Sequence, residues 1–260
     1  MIPGGRNTYF ASDFHLGLAA GTDPREREQR VTAWLERVAD NASAIYLLGD
    51  LFDFWWEYKT VVPKGFVRFL GTLASLTDRG IDIHMFAGNH DMWMKGYLAD
   101  ECGVTVHHEP LLTEIGGETF YLAHGEGLGS RNIGGRLLFA FFRNRMARTL
   151  FSAIHPRFGM ALGHGWSRSS RLAKHVSLPF LGEDKEDLIR HTRTLAAEGC
   201  RARYYIYGHR HLPLTFDEDG RRMIILGDWF SCSESYAVYD GRELSLVTVP
   251  LQEEISGNSD

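Results

Sequence analysis

Five short apolar runs in this chain each stop at a small cluster of Asp, His or Asn, and no other feature narrows the fold so far. Asp13-Phe14-His15 follows Thr8-Tyr9-Phe10-Ala11-Ser12, and Gly49-Asp50-Leu51-Phe52-Asp53 follows Tyr46-Leu47-Leu48. Gly88-Asn89-His90-Asp91 follows Met85-Phe86-Ala87, and His124-Gly125-Glu126 follows Phe120-Tyr121-Leu122-Ala123. Gly208-His209-Arg210-His211 closes Tyr204-Tyr205-Ile206-Tyr207. Apolar runs this short, bounded by Gly and polar residues, read as buried strands. The carboxyl ends of strands are where open α/β sheets bind ligands.

Helical periodicity separates the first runs. Residues 25–39 repeat Val31, Trp34, Leu35 and Val38, and a second helix is expected near 64–79. With strands at 8–12, 44–49 and 81–87, the order β-α-β-α-β predicts a mostly parallel sheet packed with helices. Closely set strands follow at 104–107, 111–115 and 119–123, with Gly116-Gly117 as a hairpin turn. Residues 130–174 read as one long helical, Arg-rich stretch. Strands return at 203–207, 214–217, 222–226, 236–239 and 243–249, and 252–260 reads as a frayed polar tail.

The chain has 260 residues, 44% apolar and 23% charged, which suits one large soluble domain. Cys102, Cys200 and Cys232 stand far apart, which argues against a disulfide framework and fits a reducing compartment. There is no signal-peptide pattern, and no apolar run nears the roughly 18 residues that cross a bilayer, so a cytoplasmic location is expected.

The net charge of −5 gives no sign of a nucleic-acid binder, yet it conceals a division. Residues 127–182 hold nine Lys or Arg and no Asp or Glu, leaving 19 basic against 33 acidic residues elsewhere. This basic segment is also apolar. Leu137-Leu138-Phe139-Ala140-Phe141-Phe142 precedes Arg143, Arg145, Met146, Arg148, Leu150 and Phe151; Phe158, Met160, Leu162 and Trp166 precede Arg168, Arg171 and Lys174. Apolar helices edged with Arg suit anionic membrane surfaces and lipid substrates.

Imidazoles, carboxylates and an Asn amide without thiolates suit Mn, Fe or Zn in a working site rather than a structural zinc site. Taken in order, Asp-x-His, Gly-Asp-x-x-Asp, Gly-Asn-His-Asp, a lone His and Gly-His-x-His resemble the calcineurin-like metallophosphoesterases. The resemblance implies a four-layer αββα sandwich, an α/β fold of mixed α+β character, with two divalent ions, Mn foremost. It assigns Asp13, His15, Asp50 and His211 to one ion and Asp50, Asn89, His124 and His209 to the other, with Asp50 bridging. His90 is implied to protonate the leaving group or stabilise phosphate charge, and Asp91 to orient it. Asp53 would stand behind the ligands.

The basic apolar segment resembles the helical cap of the UDP-2,3-diacylglucosamine hydrolases of lipid A biosynthesis, as do Leu226-Gly227-Asp228-Trp229 and Phe52-Asp53-Phe54-Trp55. That implies a core of residues 1–126 and 183–251 with 127–182 inserted as the cap. The expected reaction is hydrolysis of the substrate pyrophosphate, by a hydroxide that two metals activate, to UMP and 2,3-diacylglucosamine 1-phosphate. Asn89, Arg168, Arg171 and Lys174 would contact substrate, and the cap would rest on the inner face of the inner membrane. No obligate protein partner is implied. The best-known form of that enzyme has Arg where this chain has His90. A phosphodiesterase or phosphatase acting on nucleotides or nucleic acid is the alternative, although the Phe- and Leu-rich stripe between the arginines does not suit a nucleic-acid track. A scaffold that keeps the fold for partner binding is a third reading, and such proteins usually lose ligands.

Overall fold

The computed structural model describes residues 7–129, 134, 141–142, 144–173, 179–180, 182–231 and 233–251; of 168–173 it describes the backbone alone. Lys174, Cys232, most of 130–143 and the tail 252–260 lie outside the described residues, as do the side chains of Arg168 and Arg171.

The chain begins β1 (Asn7–Ala11), α1 (Pro24–Ala39), β2 (Ala42–Leu47), α2 (Val67–Asp78), β3 (Asp82–Phe86), α3 (Tyr97–Cys102) and β4 (Thr105–His107). A hairpin of β5 (Leu111–Ile115) and β6 (Glu118–Ala123) turns at Gly116-Gly117. Helices α4 (Arg145–Ser152), α5 (Pro156–Ala173) and α6 (Asp187–Ala197) come next. Strands β7 (Tyr204–Tyr207), β8 (Leu214–Glu218), β9 (Arg221–Ile225), β10 (Ser233–Tyr239) and β11 (Leu244–Pro250) complete the described chain.

Two mixed sheets result, ordered β11-β10-β1-β2-β3-β4 and β5-β6-β7-β9-β8. The stretch from β1 to β4 is parallel as expected, and antiparallel strands border both sheets. Two-residue alternation explains the layering. Tyr9 and Ala11 of β1 face Trp34, Leu35, Phe69 and Leu73 of α1 and α2, whereas Phe10 faces the second sheet with Tyr46, Phe86, Phe120, Tyr204 and Ile206. On β7, Tyr205 and Tyr207 turn outward to Leu188 and Ile189 of α6. The layers therefore run helix, sheet, sheet, helix.

Local signals set the helix ends. The Asp23 carboxylate accepts the Arg25 and Glu26 N–H groups at the start of α1, and Pro24 occupies its first turn. The long helical stretch expected at 130–174 is divided at 153–155, ahead of Pro156, which begins α5. Two helices escaped the sequence reading. Helix α3 has six residues, too few for periodicity, and α6 buries only Leu188 and Ile189. The run Phe52, Phe54, Trp55, Trp56 and Tyr58 is packed. Phe52 and Trp55 join the core beside α2, while Phe54 and Trp56 lie with Met92 and Trp93 beneath Phe151, Met160 and Trp166 of α4 and α5.

Candidate metal centre

The five clusters meet at one end of both sheets. Asp13, His15, Asp50 and His211 offer ligand atoms within 4.8 Å of one another, and so do Asp50, His124 and His209. Asp50 belongs to both groups. Its Oδ2 lies 3.8 Å from His15 Nε2 and 3.3 Å from His124 Nε2. Asn89 is buried on the loop after β3, and the next residue, His90, donates its backbone N–H to Asp50 Oδ1 at 2.8 Å.

This convergence requires unusual backbone. Asp13, His15, Asp50, His209 and His211 all have positive φ, between 44° and 67°. Left-handed non-glycine residues cost on the order of 1–3 kcal/mol each, so neighbouring strands must hold them. Asp13 N–H donates to Gly49 O and His15 N–H to Asp50 O, both at 3.0 Å, while Gly208 N–H donates to His124 O at 2.8 Å. The motif glycines answer to close approach. A Cβ at Gly88 would fall 2.3 Å from Asp50 Oδ1, and one at Gly208 2.7 Å from Asp13 Oδ2.

The donor set fits a pair of divalent cations. His124 Nδ1–H donates to Leu48 O at 2.7 Å, which leaves Nε2 as a lone pair facing Asp50 without a hydrogen bond. A histidine tied through one nitrogen to a carbonyl is the usual arrangement of a metal ligand. Asp13 Oδ1 and Asn89 Oδ1 are likewise buried without hydrogen bonds. His15 Nε2 and His211 Nε2 face each other at 3.3 Å. Such a set calls for positive charge among its atoms.

Electrostatics agree. Burial raises the pKa of Asp50, but the charges of His124 and His90 outweigh it and hold the carboxyl well below its usual range. Burial lowers His124, and the Asp50 carboxylate carries it well above the ordinary imidazole value. His211 is raised as Asp13 overcomes its burial.

The Asp91 carboxylate accepts backbone N–H groups from Gly88, Asp50, Leu51 and Phe52. Burial and the Asp50 charge push its pKa up to about 7, against those donors. His90 is held by Asp53 O and Ser167 Oγ, at 3.0 and 3.1 Å from Nδ1. The Asp53 side chain forms a third group of ligand types with His15 and His90.

Sequence reasoning missed three supports. Ser167 is one, and no motif marks it. Arg27 is another: fully buried in α1, it donates to His15 O at 2.8 Å, Ala20 O at 2.7 Å and Thr22 O at 2.9 Å. Arg210, between two of the expected ligands, forms a bidentate pair with buried Glu186 at the start of α6. The last was legible as the Arg inside Gly-His-Arg-His, facing an acidic helix start.

The fold and this double cluster define a phosphoesterase. Residues 7–213 match the calcineurin-like phosphoesterases, and the chain belongs to that family. Its enzymes are metal-dependent hydrolases, and the clusters suit divalent ions. Among relatives, the chain is 43% identical over 251 residues to the UDP-2,3-diacylglucosamine hydrolase of Porphyromonas gingivalis, covering 92% of this chain and 95% of that one. It is 29% identical to the enzyme of the same name from Aeromonas salmonicida, over 86% of each. An archaeal phosphodiesterase of known structure aligns with a TM-score of 0.47 at 12% identity, over 94% of this chain and 99% of its own.

Proposed function

We propose that this protein hydrolyses the pyrophosphate bond of UDP-2,3-diacylglucosamine, yielding UMP and 2,3-diacylglucosamine 1-phosphate. The observation that carries the reading is the adjacency of the two ligand groups to an apolar helical surface. Helix α5 reaches His90 through Ser167 and Trp166, while Phe158 and Leu162 on the same helix, and Met146 and Leu150 on α4, are exposed. A site for a phosphate anhydride bordered by exposed apolar side chains suits a substrate with a charged head and acyl chains.

In this reading residues 127–182 act as a cap on a core of 1–126 and 183–251. Asp13, His15, Asp50 and His211 hold one ion, and Asp50, Asn89, His124 and His209 the second, manganese being the proposed metal. Two such ions supply positive charge to the phosphate and lower the pKa of water. The chain's own contribution is placement. Asp50 is fixed by the His90 N–H, His124 by Leu48 O, and Asp13 by the Ser12 hydroxyl at 2.5 Å and the His209 N–H at 3.0 Å. His90 exchanges a proton with the leaving oxygen or steadies the phosphate. Asn89, Arg168, Arg171 and Lys174 contact the substrate. The exposed apolar residues receive acyl chains and rest on anionic lipid at the cytoplasmic face of the inner membrane. No helix among the described residues is long and apolar enough to span a membrane.

The deciding experiment is turnover of UDP-2,3-diacylglucosamine by manganese-loaded protein in mild detergent and oxygen-18 water. Labelled UMP with unlabelled lipid 1-phosphate is expected, which places attack on the α-phosphorus. Hydrolysis of a simple phosphodiester without turnover of the lipid would overturn the substrate and keep the metal centre.

A further inference from the structure

Helix α5 meets the loop after β2 through three small residues spaced one turn apart. Gly159, Gly163 and Ser167 are all buried, whereas Ala161, Leu162, His164 and Gly165 between them are exposed. A Cβ on Gly163 would fall 2.2 Å from Phe54 Cζ, and one on Gly159 2.0 Å from the Tyr58 hydroxyl oxygen. The two glycines set how close the helix comes. At that separation the Ser167 hydroxyl donates to Asp53 Oδ1 at 2.9 Å, and its oxygen lies 3.1 Å from His90 Nδ1.

This arrangement permits one proton assignment. His90 Nδ1 also lies 3.0 Å from Asp53 O, and a carbonyl oxygen only accepts. The Ser167 proton is already directed at a carboxylate. Both oxygens at Nδ1 are therefore acceptors, and Nδ1 carries a proton. In the neutral ring Nε2 is then the nitrogen without a proton.

We infer that Ser167 is a positioning residue through which the seating of helix α5 sets the orientation and Nδ1–H tautomer of His90. The inference rests on the phosphoesterase reading of the site and adds a link from cap to chemistry. A chain with Arg at position 90 would not need the device, because guanidinium has no tautomer to choose and is always charged. A histidine there needs a neighbour that defines which nitrogen holds the proton.

The test uses manganese-loaded protein and a soluble phosphodiester without acyl chains, together with nitrogen-15 NMR of the histidine rings in zinc-loaded protein. Ser167→Ala is expected to lower kcat roughly ten-fold or more, as loss of a support behind the reacting groups commonly does, with little change in KM. The His90 nitrogen signals should move toward a mixture of tautomers. Gly163→Ala, which displaces the helix and leaves the serine in place, should give the same pattern. A lowered Tm with unchanged kcat and unchanged His90 signals would reduce Ser167 to a packing residue and overturn the inference. Neither readout uses the nucleotide lipid, so the substrate assignment and this inference fail separately.

Discussion

The Asp91 carboxylate is bonded to the backbone of Leu51, whose N–H donates to Oδ2 at 2.7 Å. Gly88 N–H reaches Oδ1 at 2.7 Å, and the N–H groups of Asp50 and Phe52 add longer bonds at 3.3 Å. One side chain thus joins the loop after β3 to the loop after β2, the two loops that carry Asn89 and Asp50. Asp91→Asn keeps the size but turns an amide NH2 toward backbone donors, leaving buried N–H groups without acceptors. We expect a loss of about 1–3 kcal/mol of stability, seen as a lower Tm in calorimetry. An unchanged Tm would show that the clamp contributes nothing.

Asp50 is shared by both ligand groups, so its loss should affect both ions. Asp50→Ala is expected to lower kcat on the order of 10³-fold or more, since such charge stabilisation is worth several kcal/mol. Metal analysis should find fewer than two ions per chain. Chelation of the native protein should act in the same direction on stability. A ligand held at a hundred times its Kd stabilises by about 2.7 kcal/mol, so removing the metals should lower Tm by roughly 5–10 °C. Full activity in chelator would contradict the metal centre.

Much of this was legible because each ligand cluster is local. Asp13 and His15, or His209 and His211, lie two residues apart, and the apolar strand before each fixes where it emerges. What sequence conceals is distance along the chain. Ser167 meets Asp53 across 114 residues, and Arg27 reaches His15 across 12, and neither Ser167 nor Arg27 lies in a motif. The positive φ of Asp13, His15 and Asp50 was hidden as well, because these are not glycines and only the assembled loops hold them there. Asp91 shows a different limit: its carboxylate accepts backbone N–H groups that sequence does not display.

Arg27 supplies an independent test of how the first loop is held. Its guanidinium is fully buried and donates to the carbonyls of His15, Ala20 and Thr22, with its charge also 5.7 Å from the Phe230 ring centroid. Arg27→Met fills the space but removes the charged donor to three carbonyls, of which His15 O keeps the Leu18 N–H at 3.1 Å. A loss of about 1.5–3 kcal/mol is expected, the usual contribution of hydrogen bonds from a charged group. Arg27→Lys should restore little, because one ammonium lacks the planar fork that reaches all three. Denaturant unfolding of both variants measures this. A lysine variant as stable as the native protein would show that charge, and not geometry, holds the loop.

The exposed face of α4 offers a test of the proposed membrane contact that is separate from catalysis. Met146 and Leu150 are one turn apart and 75% and 71% exposed, and on α5 Phe158 and Leu162 repeat the spacing at 63% and 58%. Exposed residues with so little packing should tolerate change, so Met146→Ser with Leu150→Ser is expected to leave Tm and soluble phosphodiester turnover unaltered. Against vesicles containing phosphatidylglycerol the outcome should differ. Each apolar side chain inserted into the interface is worth about 1–2 kcal/mol, so losing two should weaken binding measured by co-sedimentation roughly thirty- to several-hundred-fold. Turnover of the nucleotide lipid presented in those vesicles should fall with it, whereas turnover in detergent should fall less. Equal vesicle binding by the double variant and the native protein would mean that the apolar face does not meet lipid. A loss of soluble phosphodiester turnover would instead mean that these residues support the site itself.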